Sequence, residues 1–131
     1  MTRGRAVVLD EPLSLWGGMD PATGVVIDAH HPQRGVSLSG RVVVMPAGRG
    51  SSSSASVLAE AGRAGTAPAA FVLGEPDLIL AIGAAVAAEL YGAAPPIVVD
   101  RCLPAAIRDG EDVEVVGATW RLVGSTDGQN G

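Results

Sequence analysis

The amino-acid sequence predicts an α/β fold: a short parallel sheet with flanking helices, plus additional β-strands from the N- and C-terminal segments. Between residues 41 and 99, short apolar runs alternate with segments of helical character. The run at residues 69–73 is apolar throughout, which is typical of central parallel strands buried on both faces. Alternating strands and helices favour right-handed crossovers and therefore a parallel sheet.

The N-terminal third is predicted to contain three extended segments. They lie at residues 5–9, 13–16 and 25–28. The stretch between the last two, residues 17–24, is dense in Gly, Asp and Pro, which permit tight turns. It therefore serves as the connection into the third segment.

Two strand–helix units are predicted next. A strand at 41–45 leads to a helix at 52–64, and a strand at 69–73 leads to a helix at 78–91 that Pro76 or Asp77 opens. Further strands are expected at residues 97–99, 113–116 and 119–123, the last two as a hairpin. In a parallel sheet, the loops at 48–51 and 74–77 leave the carboxyl ends of their strands, where open α/β sheets bind ligands.

Length and charge restrict the class of protein. The 131 residues suffice for one domain, expected over 1–124, with a disordered tail at 125–131. The hydrophobic fraction is 47% but aromatic residues make up only 3%, so the core is expected to consist of Val, Ile, Leu and Ala. Net charge is −5, and all nine basic residues are scattered arginines, which argues against nucleic acid as a partner.

Cysteine usage and apolar runs restrict the cofactor and the compartment. Cys102 is the only cysteine, so this chain's thiolates alone form neither an internal disulfide nor a zinc or iron–sulfur site. The run at 6–9 is too short for a secretion signal, and the run at 78–88 is too short to cross a bilayer. We expect a cytoplasmic protein with no membrane partner.

The segment from Gly48 to Ser54, Gly-Arg-Gly-Ser-Ser-Ser-Ser, joins a predicted strand to a predicted helix. A helix start carries N–H groups without intrahelical acceptors and a partial positive charge, which together stabilise an anion or a developing alkoxide. A glycine turn followed by a serine cap is also common architecture with no activity attached. Both interpretations stay open on the local pattern.

Two other polar positions have competing interpretations. Glu75 follows a predicted strand and could face the same edge, but a carboxylate near a helix start is stabilised by the helix dipole in any case. His30 and His31 are adjacent and point in different directions, and no third ligand stands at a recognisable spacing. A solvated loop is therefore favoured for the histidines over a metal site.

Several motifs in order resemble a known family. They are Leu-Trp-Gly-Gly-Met-Asp-Pro-Ala-Thr-Gly at 15–24, His-Pro at 31–32, Gly-Val-Ser-Leu-Ser-Gly-Arg-Val-Val-Val at 35–44, Gly-Arg-Gly-Ser-Ser at 48–52, and Glu-Pro at 75–76. Together, over about residues 13–99, they resemble the small-subunit, or swivel, domain of the aconitase X family. The resemblance implies the swivelling β/β/α fold and a hydro-lyase acting on a small hydroxy acid.

The resemblance also implies roles for residues. Gly50-Ser51-Ser52 is similar to the Gly-Ser-Ser loop of the wider aconitase group, which implies that Ser51 is the base that removes a proton α to a carboxylate. Ser52 is the alternative base, with Ser51 then capping the helix. Arg49, Gly50, Glu75, Gly17 and Gly18 are the candidate substrate-binding residues. Position 53 is Ser where true aconitases have an arginine, so carboxylate binding by that residue does not carry over.

The family also implies a partner: a large subunit that holds an iron–sulfur cluster and most of the substrate site, with no metal bound by this chain. The serine run and residues 74–83 are more similar to bacterial members, which favours cis-3-hydroxy-L-proline as the substrate over mevalonate 5-phosphate. Two further hypotheses remain: a catalytically silent binding or regulatory module, and a phosphate-binding protein that uses the loop at 48–51.

Overall fold

The computed structural model of the chain describes residues 2–47, 54–92, 94–101 and 107–123. Within these ranges the chain forms a six-stranded mixed sheet and two helices. The elements are β1 (Thr2–Val8), β2 (Val42–Met45), α1 (Ser54–Ala64), β3 (Ala70–Leu73), α2 (Leu78–Tyr91), β4 (Ile97–Val99), β5 (Asp112–Val116) and β6 (Thr119–Leu122). The strand order is β4-β3-β2-β1-β5-β6. The predicted α/β class is confirmed.

Four neighbouring strands form the parallel part of the sheet. β1 pairs with β2, β2 with β3, and β3 with β4, all in parallel register. Every residue of β2 and of β3 is buried, as expected for central strands covered on both faces. On one face, Leu58 of α1 and Leu80 of α2 pack with Val43 and Phe71 of the sheet.

Within the described ranges, neither helix is long and apolar enough to span a membrane.

The other face of the central strands is covered by β5 and β6, which belong to the same sheet. Residues 6–8 of β1 pair with β2, whereas residues 2–5 pair antiparallel with β5, which in turn pairs with β6. Val113 and Val115 of β5 join a second apolar cluster that includes Val42, Val44 and Val72. The Trp120 indole N–H on β6 donates to the Asp100 carboxylate just after β4, at 2.7 Å. The sheet therefore curls until its two ends meet.

The segment between β1 and β2 packs on the helical face without forming a regular element. Leu13, Leu15, Met19, Val26 and Leu38 are all buried in the first cluster. The predicted extended segment at 13–16 is wrong beyond its start, because the chain turns at residues 15–18, where the Met19 N–H donates to the Leu15 carbonyl at 3.0 Å. The predicted strand at 25–28 is reduced to isolated bridges from Val25 to Ser37 and from Val26 to Met19.

Most other predicted elements agree with the structure. The helix at 78–91 has the predicted bounds, as does the strand at 97–99, and the strands β2, β3, β5 and β6 each agree within one residue at either end. β1 begins three residues before the predicted start because its first half pairs with β5. The helix predicted at 52–64 is described from Ser54 onward. The tail at 125–131 lies outside the described residues, so the domain boundary and its disorder stay predictions.

The two helices approach each other most closely at Gly83. An ideal Cβ placed on Gly83 would lie 2.9 Å from the Cα of Ala55, in the first turn of α1. A Cβ on Gly62 of α1 would lie 3.7 Å from the Cβ of Ala87, which is an ordinary van der Waals distance. The contact between α2 and the first turn of α1 therefore requires glycine at position 83 but not at position 62.

Replacing Gly83 with Ala is expected to lower the free energy of unfolding of the isolated chain by about 1–3 kcal/mol, because the added methyl overpacks a backbone contact. Gly62→Ala is the matched control: it should be neutral or stabilising by up to about 1 kcal/mol, since Ala is the better helix former. Urea unfolding followed by circular dichroism measures both variants. An unchanged stability for Gly83→Ala would contradict the close approach.

Candidate active site

The carboxyl ends of the four parallel strands converge on one edge of the sheet. Because the strands are parallel and adjacent, the segments that follow them leave from the same side. The residues that come directly after these strands are 9–11 after β1, 46–47 after β2, 74–77 after β3 and 100–101 after β4. The prediction that the loops after β2 and β3 share one edge is therefore confirmed at their first residues.

The turn after β3 lies against Met45 and Pro46, which come just before residues 48–54, here called the Gly/Ser loop. The Gly74 N–H donates to the Met45 carbonyl at 3.1 Å. An ideal Cβ on Gly74 would lie 2.7 Å from the carbonyl oxygen of Pro46, closer than real Cβ atoms approach. A glycine at position 74 thus allows the two loops to start in direct backbone contact.

The first turn of α1, which follows the Gly/Ser loop, is also held against the β3–α2 unit. Ala55, one residue into α1, touches Gly83 of α2. The segment between Ala47 and Ser54 therefore begins beside Gly74 and ends beside Gly83. The predicted site residues in that segment, Arg49, Gly50, Ser51 and Ser52, lie outside the described residues, and their roles stay predictions.

A carboxylate at this turn can either cap α2 or face a ligand. Asp77 fits the first role and Glu75 fits the second. Asp77 is the N-cap of α2: its backbone is extended, with φ −132° and ψ 102°, and its side chain accepts a hydrogen bond from the Leu80 N–H at 3.0 Å. Of the two predicted openers of this helix, Pro76 and Asp77, the cap is Asp77. Glu75 is exposed at the edge of the sheet, so its carboxylate remains accessible to a ligand.

Gly17 and Gly18 form a turn that the N-terminal segment supports. Gly17 has a φ of 76°, a left-handed conformation that favours glycine. Gly18 is buried, and a Cβ there would collide with the Ser14 carbonyl oxygen. The neighbouring Trp16 is 59% exposed. The backbone conformation at Gly17 and the close contact at Gly18 explain why glycine stands at both positions. Their substrate-binding role stays a prediction.

His31 is part of the packing that fixes the chain after β1. Its ring is buried, with Nε2 at 3.1 Å from the Glu11 carbonyl oxygen and Nδ1 accepting from the Gln33 N–H at 3.0 Å. The Gln33 side chain in turn accepts from the Asp10 N–H at 3.2 Å. The expectation of a solvated loop is therefore wrong for His31, although His30 is exposed. His31 and Gln33 thus hold Glu11 and Asp10, respectively, at the sheet edge.

Sequence reasoning missed Asp100 and Arg101, which follow β4 at the same edge. The Asp100 N–H donates to the Leu73 carbonyl at 2.7 Å, which places it beside the start of the turn that carries Glu75. Both residues line a cavity of about 400 Å³ between the two ends of the sheet, together with Trp120 and Thr119. The signal was available, because the strand at 97–99 ends directly before them.

The described part of this edge is rich in carboxylates. The acidic residues that directly follow the four strands are Asp10, Glu11, Glu75, Asp77 and Asp100. Among the described residues in those positions, Arg101 is the one cation. Among the described residues in these positions, negative charge exceeds positive charge, which favours a ligand that carries a positive group.

The ion pair of α1 lies apart from these edge residues. The Arg63 guanidinium donates a side-chain hydrogen bond to Glu60 and thereby holds the pKa of the Glu60 carboxyl below its usual value. Both side chains are exposed on the last turns of α1. Exposed pairs of this kind contribute little to stability.

No metal site is formed by the described residues. Within the ranges that the structure covers, no group of three or more His, Cys, Asp or Glu side chains is arranged to hold a metal ion. Cys102 lies outside those ranges. A single thiolate does not supply the ligand set of an iron–sulfur cluster.

Comparisons with known proteins agree on one family. The family model described as the aconitase X swivel domain matches residues 1–123. The chain is 55% identical over 85 residues to a cis-3-hydroxy-L-proline dehydratase of Pseudomonas aeruginosa. The matched segment covers 65% of this chain and 15% of that protein. It is 44% identical over 85 residues to a phosphomevalonate dehydratase small subunit of Methanothermobacter thermautotrophicus, 65% of this chain and 65% of that protein.

A solved structure shares the fold. The crystal structure of Thermococcus kodakaraensis aconitase X in its holo-form aligns with a TM-score of 0.74 and 34% identity, covering 85% of this chain and 79% of that chain. The segment matched in the two curated relatives above is less than two thirds of the length of either one. The resemblance inferred from the sequence motifs is confirmed.

Replacing Asp77 with Ala is expected to lower the free energy of unfolding by about 1 kcal/mol, because the first turn of α2 loses its capping acceptor. Glu75→Ala, a neighbouring carboxylate removed in the same way, should change stability by less than about 0.5 kcal/mol because its side chain is exposed. Thermal and urea unfolding of the isolated chain measure both. Equal losses would contradict the division of roles between the two carboxylates.

Proposed function

Because the chain belongs to the aconitase X swivel domain family, we propose that it is the small subunit of a two-subunit hydro-lyase that dehydrates a small hydroxy acid. A large subunit completes the cleft, in a heterodimer or a higher assembly. The Methanothermobacter relative is named a small subunit, which supports such a division of the enzyme. Neither subunit alone is expected to be active.

The observation that carries this proposal is the convergence of four strand ends on one open edge. The candidate residues Glu75 and Arg101 lie on that edge, and the Gly/Ser loop starts from it beside Gly74. Arg101 and Glu75 are exposed rather than enclosed. A site that must exclude water during proton removal therefore needs a second surface to close it.

We propose that Ser51 is the base that removes the proton α to the substrate carboxylate. A serine hydroxyl is a poor base unless its alkoxide is stabilised, and N–H groups at a helix start with a neighbouring guanidinium, here that of Arg49, favour the anion. Ser52 is the alternative base. In either case the proton moves from the α carbon to the serine oxygen, the C–H electron pair forms the double bond, and the C–O bond on the neighbouring carbon breaks. The departing hydroxide and the proton that serine has taken together make one water, which regenerates the base.

We propose cis-3-hydroxy-L-proline as the substrate. Two observations support it: the 55% identity to the Pseudomonas dehydratase of that name and the carboxylates that follow the strands. This amino acid carries a secondary ammonium group, which an acidic edge attracts. Mevalonate 5-phosphate carries only negative groups and is the second candidate, supported by the 44% identity to the small subunit of Methanothermobacter.

The family's iron–sulfur cluster does not fit the described residues, which supply no suitable ligand set. We propose that the large subunit holds it. The residues of this chain bind and orient the substrate and remove its α proton. Arg49, Gly50, Glu75, Gly17 and Gly18 are the proposed substrate-binding positions.

The competing proposal is that the chain is not catalytic and serves as a binding or regulatory module. It keeps the family fold for association alone, and it predicts that the complex forms but that no residue of this chain affects the reaction rate. A phosphate-binding protein is the weaker alternative. It predicts that the isolated chain binds mevalonate 5-phosphate but not hydroxyproline, which titration calorimetry distinguishes.

Ser51→Ala is expected to lower kcat of the reconstituted complex by about 10²- to 10⁴-fold, with a small change in KM, because a positioned base acts mainly in the transition state. Exchange of the α proton with deuterated water should fall in parallel. Ser54→Ala, in the same serine run but within α1, is the control and should retain activity within about threefold, since Ala is well tolerated in a helix.

The outcome for Ser52 separates the remaining alternatives. A loss confined to Ser52→Ala would move the base to that residue. Activity and proton exchange at the wild-type level in both Ser51→Ala and Ser52→Ala would support the silent module. Faster dehydration of mevalonate 5-phosphate than of cis-3-hydroxy-L-proline by the wild-type complex would overturn the substrate assignment.

A further inference from the structure

We infer that the outward face of α2 is the surface on which the large subunit docks, an inference that rests on the function proposed above. Leu78, Ile82, Val86 and Leu90 follow one another at four-residue spacing, which keeps them on one side of the helix. Their exposed fractions are 74, 49, 38 and 63%. These four side chains form the α2 stripe.

The α2 stripe lies on a helix that is apolar on its other side as well. Leu80, Gly83 and Ala87 are the buried residues of α2, and Glu89 is its one charged residue. Helices that are hydrophobic all round are normally buried. A row of exposed aliphatic side chains on such a helix marks an interaction surface more strongly than scattered exposed residues do.

The given residues outside the described ranges offer little apolar surface that could cover the α2 stripe. The residues outside the described ranges contain only two large apolar side chains, Met1 and Leu103. The longest of these stretches, residues 124–131, consists of Gly, Ser, Thr, Asp, Gln and Asn. We therefore expect the apolar surface that covers these four aliphatic side chains to come from the large subunit.

The α2 stripe is continuous with the open edge of the sheet. Leu78 directly follows the Asp77 cap and stands three residues after Glu75. A body that closes over Glu75 therefore meets Leu78 next. In the Pseudomonas dehydratase the matched segment is 15% of the protein, so a much larger body accompanies it in the same polypeptide.

The shape and charge of the surface specify what the large subunit presents. A groove of about 310 Å³ runs between α1 and α2, with Ala55 and Ala59 on one wall and Val86 and Leu90 on the other. Ser56, Glu60 and Tyr91 also line it, so the groove accepts apolar side chains beside polar groups. Glu89, on the outward side of α2, is exposed, so a basic residue of the large subunit is expected opposite it.

The experiment measures binding of the full chain to the large subunit, with dehydration of cis-3-hydroxy-L-proline as a second readout. Ile82→Glu and Leu90→Glu are each expected to weaken binding by about tenfold or more, because a carboxylate replaces an apolar anchor. Ile27→Glu is the matched control: Ile27 is 48% exposed, against 49% for Ile82, and lies outside α2. It should bind as the wild type does.

Circular dichroism and thermal unfolding check that all three variants fold. If the complex forms and is active, but Ile82→Glu and Leu90→Glu bind as tightly as Ile27→Glu, the docking surface is wrong while the proposed function stands. If no complex of the wild-type chain forms, the proposed function itself fails. If sedimentation finds a self-associated chain that Ile82→Glu disperses without affecting large-subunit binding, the α2 stripe is a contact between copies of this chain.

Discussion

The burial of β2 and β3 on both faces is the constraint on which the rest of the structure depends. All eight residues of these two strands are buried, and both strands pair in parallel with their neighbours. Parallel pairing requires a crossover between successive strands, which α1 and α2 provide on one face. The same pairing forces the strands' carboxyl ends onto a single edge. The location of the candidate site thus follows from the packing of the core.

Backbone contacts then hold the loops on that edge. Gly74 touches Pro46 at the start of the Gly/Ser loop, and Gly83 touches Ala55 just after its end. Both contacts are made by the β3–α2 unit, which also carries Glu75 and the α2 stripe. One supporting element therefore links the loop that holds the candidate base, the exposed carboxylate and the proposed docking surface.

Those elements of the fold that are marked by a local sequence pattern, such as an apolar run or a helix-capping residue, can be predicted from the sequence. Helix 78–91 and strand 97–99 were predicted with their observed bounds because apolar runs and a helix-opening Asp or Pro mark them locally. The curl of the sheet could not be foreseen, since it depends on the Trp120–Asp100 hydrogen bond and on β5 pairing with the first half of β1. His31 was misjudged for the same reason: its partners Glu11 and Gln33 meet it only once the chain has folded. The candidate base was proposed from family motifs, which carry information that burial patterns do not.

Hydrogen–deuterium exchange of the chain, free and bound to the large subunit, tests the central claim most directly. The account holds that the partner covers the carboxyl edge of the parallel strands and the outward face of α2. It predicts that binding slows exchange in peptides spanning residues 74–91 and in peptides spanning the Gly/Ser loop, and leaves the β5–β6 hairpin at 112–122 little changed. Slowed exchange confined to that hairpin, with residues 74–91 unaffected, would contradict it.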